Sequence, residues 1–278
     1  MTNGPASDPL ARARLGGIAS RWIALCIAIT CFGFGMLGGD HSSTEARVID
    51  QLSRSAGAQA REVQRQIRQT GTVSGGAQLA QERAAQLDRA ARAVSDSTAA
   101  VLRVQADFVR DFGALVAELE SCMQAFESAG GADPVTIRTR QDLALRRTTL
   151  RHTAHANREV YQFALSMPRE LRARLDAASI EPDVAHRVIQ GFEASNNTRQ
   201  LVELRAQSAR VLKGVDDVLS LLDEQWGRWR VAPEDSAVEF IEPAAADRYN
   251  ALLAAVDDAA RREAAMQARM LSSNAPRR

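Results

Sequence analysis

The chain has 278 residues, of which 45% are hydrophobic and only 5% are aromatic. This is enough apolar material for one large domain or two ordinary ones, and the scarcity of aromatic residues favours helices packed through small side chains over a deep enzyme cleft. The formal net charge of +1 gives no overall polarity that would attract nucleic acid, so we expect no nucleic-acid partner.

An uncharged segment near the N-terminus predicts a membrane anchor. Residues 22–39 contain no charge, and as a helix they would rise about 27 Å, enough to cross a hydrocarbon core. Arg12, Arg14 and Arg21 precede the segment, and acidic residues follow it. By the positive-inside rule, residues 1–21 are a cytoplasmic tail and the bulk of the chain is exported. We therefore expect a single-pass, signal-anchored protein of the bacterial inner membrane, with its large part in the periplasm.

Two alternatives to a retained anchor stay open. A cleavable signal peptide has the same order of a basic head followed by an apolar core. Lipidation at Cys31 is the other, although the positions before Cys31 lack the leucine and the small residue that a bacterial lipid-attachment motif normally shows. Gly35 and Gly39 have the spacing of a helix-dimerisation motif, so the protein could also form a homo-oligomer through this segment.

Helical periodicity dominates the predicted periplasmic domain, residues 40–271. A first helix is predicted over 43–70, followed by a glycine-rich break. A second is predicted over 77–129, where apolar residues recur every seven positions. These are Leu87, Val94, Val101, Phe108, Leu115 and Cys122. An unbroken helix of this length would extend about 78 Å.

The remaining segments complete an all-α prediction. A third helix is predicted over 135–166, with an end or a kink at Pro168. Short helices flank Pro182, a long helix covers 195–225, and Pro243 opens the last one. Residues 272–278 form a disordered tail. Long helices joined by short interruptions predict an elongated antiparallel helical bundle or coiled coil after the transmembrane helix.

One passage between the last two helices alternates like a strand. Apolar and charged residues alternate over 228–231 and again over 238–240, on either side of a proline-containing turn. This pattern predicts a small β-hairpin near the C-terminus, which needs a surface to rest on. The hairpin either covers the end of the bundle or binds a partner through its aromatic residues. The candidate partner-binding residues are Trp226, Trp229 and Phe240.

The same passage carries a family resemblance. The residues concerned are Gln225, Trp226, Gly227, Trp229, Val231, Val238, Phe240, Tyr249, Asn250 and Leu252. This run resembles the C-terminal region of the YiaF-like family, an uncharacterised family of membrane-attached helical proteins of the bacterial envelope. The resemblance implies an N-terminal membrane attachment followed by an exported helical domain. It implies no activity and no site residues.

Two polar clusters fall in the third predicted helix. His152, His155 and Glu159 lie near one helical face, as metal ligands would, but the surrounding arginines would repel a cation. We therefore predict a solvated polar face, with no metal and no cofactor. The arginines themselves are candidates for contact with anionic lipid head groups or cell-wall polymers, although acidic residues on neighbouring helices could pair with them instead. They are Arg146, Arg147, Arg151 and Arg158, with Arg138 and Arg140 nearby.

No nucleotide-binding, nucleophile-elbow or zinc-protease motif occurs in the chain. We therefore predict no catalytic residues and no enzyme. The composition favours a scaffold or adaptor that holds an envelope protein partner away from the membrane. The alternative is a sensory ectodomain of a membrane receptor that acts through a partner. An envelope enzyme would require Arg, His and Glu side chains converging in a closed cavity between helices.

Overall fold

The structure is a computed structural model that describes residues 43–70, 75–195, 198–232 and 237–273. Seven α-helices and one two-stranded sheet make up this part of the chain. In chain order the elements are α1 (Ser43–Thr70), α2 (Gly76–Ala91), α3 (Asp96–Ser128), α4 (Arg140–Ala177), α5 (Pro182–Ser195), α6 (Thr198–Glu224), β1 (Trp229–Val231), β2 (Val238–Phe240) and α7 (Pro243–Ser273).

The predicted membrane anchor, 22–39, lies outside the described residues, as does the predicted tail 1–21. Among the helices that the structure describes, none combines the length and the apolar character that a membrane crossing requires. At the other end, α7 ends at Ser273, two residues inside the predicted tail 272–278.

The long helices pack antiparallel, mainly against their neighbours in the chain. Helix α3 contacts α2 and α4, α4 contacts α6, and α6 contacts α7. Arg140 at the start of α4 pairs with Asp223 at the end of α6, and Glu224 pairs with Arg248 near the start of α7. The described domain is therefore mostly helical, with the bundle character that the sequence predicts.

The prediction of a single helix over 77–129 is wrong, because α2 and α3 form a hairpin. Ser95 adopts an extended conformation before α3, and its backbone N–H donates to Glu45 Oε1 of α1 at 2.8 Å. The seven-residue apolar spacing continues across the turn because both arms of the hairpin bury their apolar face in one core. Leu87 in α2 and Val101 in α3 are both fully buried. Spacing alone therefore could not reveal the reversal.

Helix α4 differs from its prediction at both ends. It begins at a capping box, in which Thr139 Oγ1 accepts from the Asp142 backbone N–H and the Asp142 carboxylate accepts from the Thr139 N–H. It also continues through Pro168 to Ala177, so of the two predicted alternatives the end at Pro168 is wrong, and the kink stays a prediction. Met167 and Leu171 are completely buried on either side of the proline, and this packing offsets the lost backbone hydrogen bond. With 38 residues, α4 is about 57 Å long.

The predicted hairpin is confirmed as a small antiparallel sheet. Trp229 pairs with Phe240, Arg230 with Glu239, and Val231 with Val238. Arg230 Nε also donates to Glu239 Oε2 at 2.8 Å across the outer face. The sheet joins the C-terminal end of α6 to the N-terminal end of α7, so it lies at the end of the bundle where α4 begins.

Candidate functional site

The three hairpin aromatics rest partly buried against the helices. Trp229 Nε1 donates to the Leu222 carbonyl of α6 at 2.8 Å, and the Trp226 ring meets Trp229 edge-on at 5.9 Å. Phe240 packs on Tyr249 of α7 at 5.3 Å. These contacts favour the interpretation of the hairpin as a cover for the bundle end. The partner-binding role of Trp226, Trp229 and Phe240 stays a prediction.

An exposed apolar residue lies next to these aromatics. Ile241, directly after β2, is 75% exposed. Tyr249 of α7, which contacts Phe240, is buried, and burial raises the pKa of its hydroxyl to about 12. The Tyr249 hydroxyl therefore stays neutral at physiological pH.

The arginines of the basic stretch in α4 differ in exposure, and Arg146 is not at the protein surface. Arg146 is only 1% exposed, and its guanidinium donates to the Asp133 carbonyl and the Thr136 hydroxyl, both at 2.6 Å. It fills the loop between α3 and α4 so closely that any side chain at Gly130 would collide with it. The predicted contact of Arg146 with an anionic surface is therefore corrected, since this residue is occupied in holding a loop.

Arg147 is also engaged, whereas Arg151 and Arg158 are not. Arg147 Nη1 lies 3.1 Å from Asp223 Oδ2, and its Nε lies 3.6 Å from Asp216 Oδ1, so α4 and α6 are joined by ion pairs at this point. Arg151 and Arg158 are exposed and make no ion pair within the described part of the chain. They lie seven residues apart on the face of α4 that borders α6.

Between α4 and α6 lies a groove of about 660 Å³. Its charged lining residues are four cations and one carboxylate: Arg151, Arg158, Arg205, Lys213 and Asp216. The carboxylate of Asp216 faces Arg147, and Lys213 pairs with Asp217 at 2.8 Å, so Arg151 and Arg158 supply the uncompensated charge at the rim. The rest of the lining is largely apolar, including Leu150, Ala154, Ala206, Ala209 and Leu212.

A buried polar layer connects this groove with α7. Arg205 is 1% exposed, and its Nη1 donates to Asn157 Oδ1 of α4 at 3.4 Å. On the α7 side, Ser208 donates to Glu263 Oε1 at 2.5 Å. Burial raises the pKa of Glu263, while the charge of Arg205 and the Ser208 hydrogen bond oppose that rise. The layer therefore couples three helices through polar groups inside an otherwise apolar core.

The layer differs from the converging Arg, His and Glu side chains described above. It contains Arg, Asn, Ser and Glu, but among the described residues His152, His155 and His186 are all exposed. His155 Nδ1 lies 3.9 Å from Glu159 Oε1 on the outer face of α4. The parts of the chain that the structure describes contain no group of residues able to hold a metal ion.

Sequence reasoning missed the residues of the polar layer, although a signal was present. In α6 the stripe through Leu201 and Leu204 continues to Val211, but Ser208 stands within it and Arg205 is buried directly after Leu204. A charged residue on the buried side of a stripe indicates a partner in the fold. The partners, Asn157 and Glu263, lie 48 and 55 residues away and emerge only from tertiary packing.

Comparison of the chain with protein-family models, with curated proteins and with solved structures found no match. The resemblance of the hairpin region to the YiaF-like family therefore stays a prediction.

Proposed function

We propose that this protein is a scaffold or adaptor of the bacterial envelope, attached to the inner membrane by residues 22–39 and extending its helical domain into the periplasm. The observation that supports this function most is the length of α4 and its packing. Helix α4 extends about 57 Å and packs against both α3 and α6. A rod of this kind suits a protein that holds a partner at a fixed distance from a membrane.

The hairpin end is the place where we propose that the partner is held. Ile241 is the most exposed of the large apolar residues in the described part of the chain, and it lies beside rings that are already fixed by the helices. An exposed apolar side chain on a rigid support is a suitable anchor for a protein interface.

Photo-crosslinking in living cells tests this proposal. A crosslinking residue at Ile241 should capture one specific envelope protein, identified by mass spectrometry and by reciprocal capture. A control at Leu165, which is 50% exposed on α4 far from the hairpin, should not capture that protein. Crosslinks from Ile241 confined to this chain would contradict the proposal and leave the hairpin as a cover alone.

The second candidate is a sensory ectodomain, and the α4–α6 groove favours it. A groove of about 660 Å³ falls within the ordinary range of ligand sites, and the polar layer beneath it extends to α7. A ligand there could alter how α4, α6 and α7 pack against each other. This role still requires a partner that supplies the cytoplasmic output.

A further inference from the structure

The most unusual side chain of the described domain is Arg205. Its guanidinium is buried, yet Nε and Nη2 have no hydrogen-bond partner among the described residues. The third nitrogen, Nη1, is held only by a long bond to Asn157. A buried donor without a partner is destabilising, and more so when it is charged, so buried polar groups are rarely left without a hydrogen bond.

Within the described residues, no neighbouring charged group accepts a hydrogen bond from Nε or Nη2 of Arg205. Glu263 is the acidic residue of the same layer and is attracted by the charge of Arg205, but its Oε1 accepts from Ser208. Asp216, the carboxylate of the groove lining, faces Arg147. On the groove side Arg205 is accompanied by Arg151 and Arg158, which add positive charge, and by Lys213, which pairs with Asp217.

The two unused nitrogens of Arg205 define a specific geometry. In a guanidinium group, Nε–H and one N–H of Nη2 lie on the same edge and point in parallel. A carboxylate accepts both through its two oxygens, and such paired bonds are among the strongest in proteins. Arg205 forms part of the groove lining, but Nε and Nη2 themselves are closed to solvent, so a carboxylate reaches this edge from the groove only when the Arg205 side chain moves toward it.

The other lining residues of the groove indicate which kind of molecule carries the carboxylate. Leucine and alanine side chains from both helices supply five of the thirteen lining residues, and Tyr161 adds an aromatic surface. An apolar body of one or two rings or a short alkyl chain would bury its surface there. The volume of about 660 Å³ suits a small molecule.

We propose that the α4–α6 groove binds a small organic carboxylate with an apolar body, anchored by Arg205 and attracted by Arg151 and Arg158. This inference goes beyond the scaffold function and does not depend on it. The carboxylate pairs with the Nε–Nη2 edge of Arg205, and the two rim arginines raise its local concentration and favour entry of an anion.

Calorimetric titration of the full-length chain in non-ionic detergent tests the inference. The probes are 2-naphthoate and 4-phenylbutyrate, their neutral amides, and inorganic phosphate. We expect both carboxylates to bind and the amides and phosphate to bind at least tenfold more weakly. The substitution Arg205→Lys keeps the charge but removes the paired donors, so it should weaken carboxylate binding at least tenfold. The paired substitution Arg151→Ala with Arg158→Ala should weaken binding and reduce its dependence on salt.

The matched control is Arg199→Ala, an exposed arginine of α6 outside the groove, which should bind like the unaltered protein. Circular dichroism checks the fold of each variant, and the rim variant keeps the test decisive if Arg205→Lys does not fold. Absence of carboxylate binding, equal binding of acid and amide, stronger binding of phosphate, or unchanged binding in the rim variant would each overturn the inference. Crosslinking from Ile241 is unaffected by any of these results, so the scaffold proposal is judged separately.

Discussion

Buried arginines are stable where fixed acceptors surround the guanidinium, and three arginines of the described domain are fully buried. Arg83 Nη1 donates to the Leu52 carbonyl at 3.2 Å, and Arg146 is held by the loop carbonyl of Asp133. Arg205 differs, because two of its nitrogens have no acceptor in the described part of the chain. Arg83 thus stabilises a contact between helices, Arg146 stabilises a loop and, in our proposal, Arg205 binds a ligand.

From the sequence, the arginines of α4 were predicted only as one basic stretch, and Arg83 and Arg205 were not singled out. The sequence does not distinguish Arg146, Arg147, Arg151 and Arg158 from one another. Which of them are buried or paired depends on the elements that pack against α4. The acceptors of Arg146 come from backbone carbonyls in a loop, which no side-chain pattern reveals. The polar layer has the same origin, since its members are joined across sequence distances of about fifty residues.

Glu263 leads to a prediction about pH. Its pKa lies above the ordinary value of 4.5 because burial disfavours the charged carboxylate. In the window above pH 4.5 the folded protein binds more protons at Glu263 than the unfolded chain does, so this group contributes less to stability as the pH rises through its folded pKa. The variant Glu263→Gln cannot ionise. We expect its free energy of unfolding to increase relative to that of the unaltered protein as the pH rises from 4.5 to 7, so the variant becomes relatively more stable.

Urea unfolding at several pH values measures this difference, and groups unchanged in both proteins cancel. The substitution Glu203→Gln, at an exposed position of α6, serves as the control and should show a much smaller trend. A difference between Glu263→Gln and the unaltered protein that stays constant would show an ordinary pKa for Glu263, and one that decreases with pH would show a lowered pKa; either would contradict the prediction.

At the scale of the helices, local signals predicted most ends correctly. The first helix was predicted at the observed bounds, and Pro243 opens α7 as expected. The wrongly predicted helix ends are those that tertiary packing determines. The turn after α2 is fixed by a bond from Ser95 to Glu45, and α4 passes Pro168 because buried side chains lie on both sides. Ser95 followed by Asp96 was the local sign of a new helix that the seven-residue stripe concealed.

The α2–α3 hairpin also depends on a glycine. A Cβ atom at Gly113 of α3 would lie 2.7 Å from the Cβ of Ala80 in α2, closer than packed carbons approach. We expect Gly113→Ala to lower the free energy of unfolding, because overpacking costs about 1–3 kcal/mol and outweighs the helix propensity of about 1 kcal/mol gained. Adding Ala80→Gly should recover part of the loss.

Chemical unfolding followed by circular dichroism measures both variants. The control is Gly57→Ala in α1, where the nearest atom to a new Cβ is 3.5 Å away and alanine should stabilise the helix. If Gly113→Ala stabilised the protein to the same extent as Gly57→Ala, the close contact of α2 and α3 would be refuted.

At the scale of the molecule, the domain is a set of antiparallel helices that presents three different surfaces. One end carries the hairpin with its exposed Ile241, the face between α4 and α6 holds the basic groove, and the outer face of α4 carries exposed histidines. A chain with an N-terminal anchor would place these surfaces together on one side of a membrane. In our two proposals, the hairpin end holds a protein partner and the α4–α6 groove binds a small ligand.

The central claim is that this domain lies outside the cytoplasm, and cysteine labelling tests it most directly. In a chain whose native cysteines are replaced by alanine, Arg199→Cys places a thiol at a position where the native side chain is 88% exposed. The control Ser7→Cys lies in the predicted cytoplasmic tail. We predict that a membrane-impermeant thiol reagent labels the first variant in intact spheroplasts and labels the second only after lysis. Labelling of Arg199→Cys only after lysis would contradict the account.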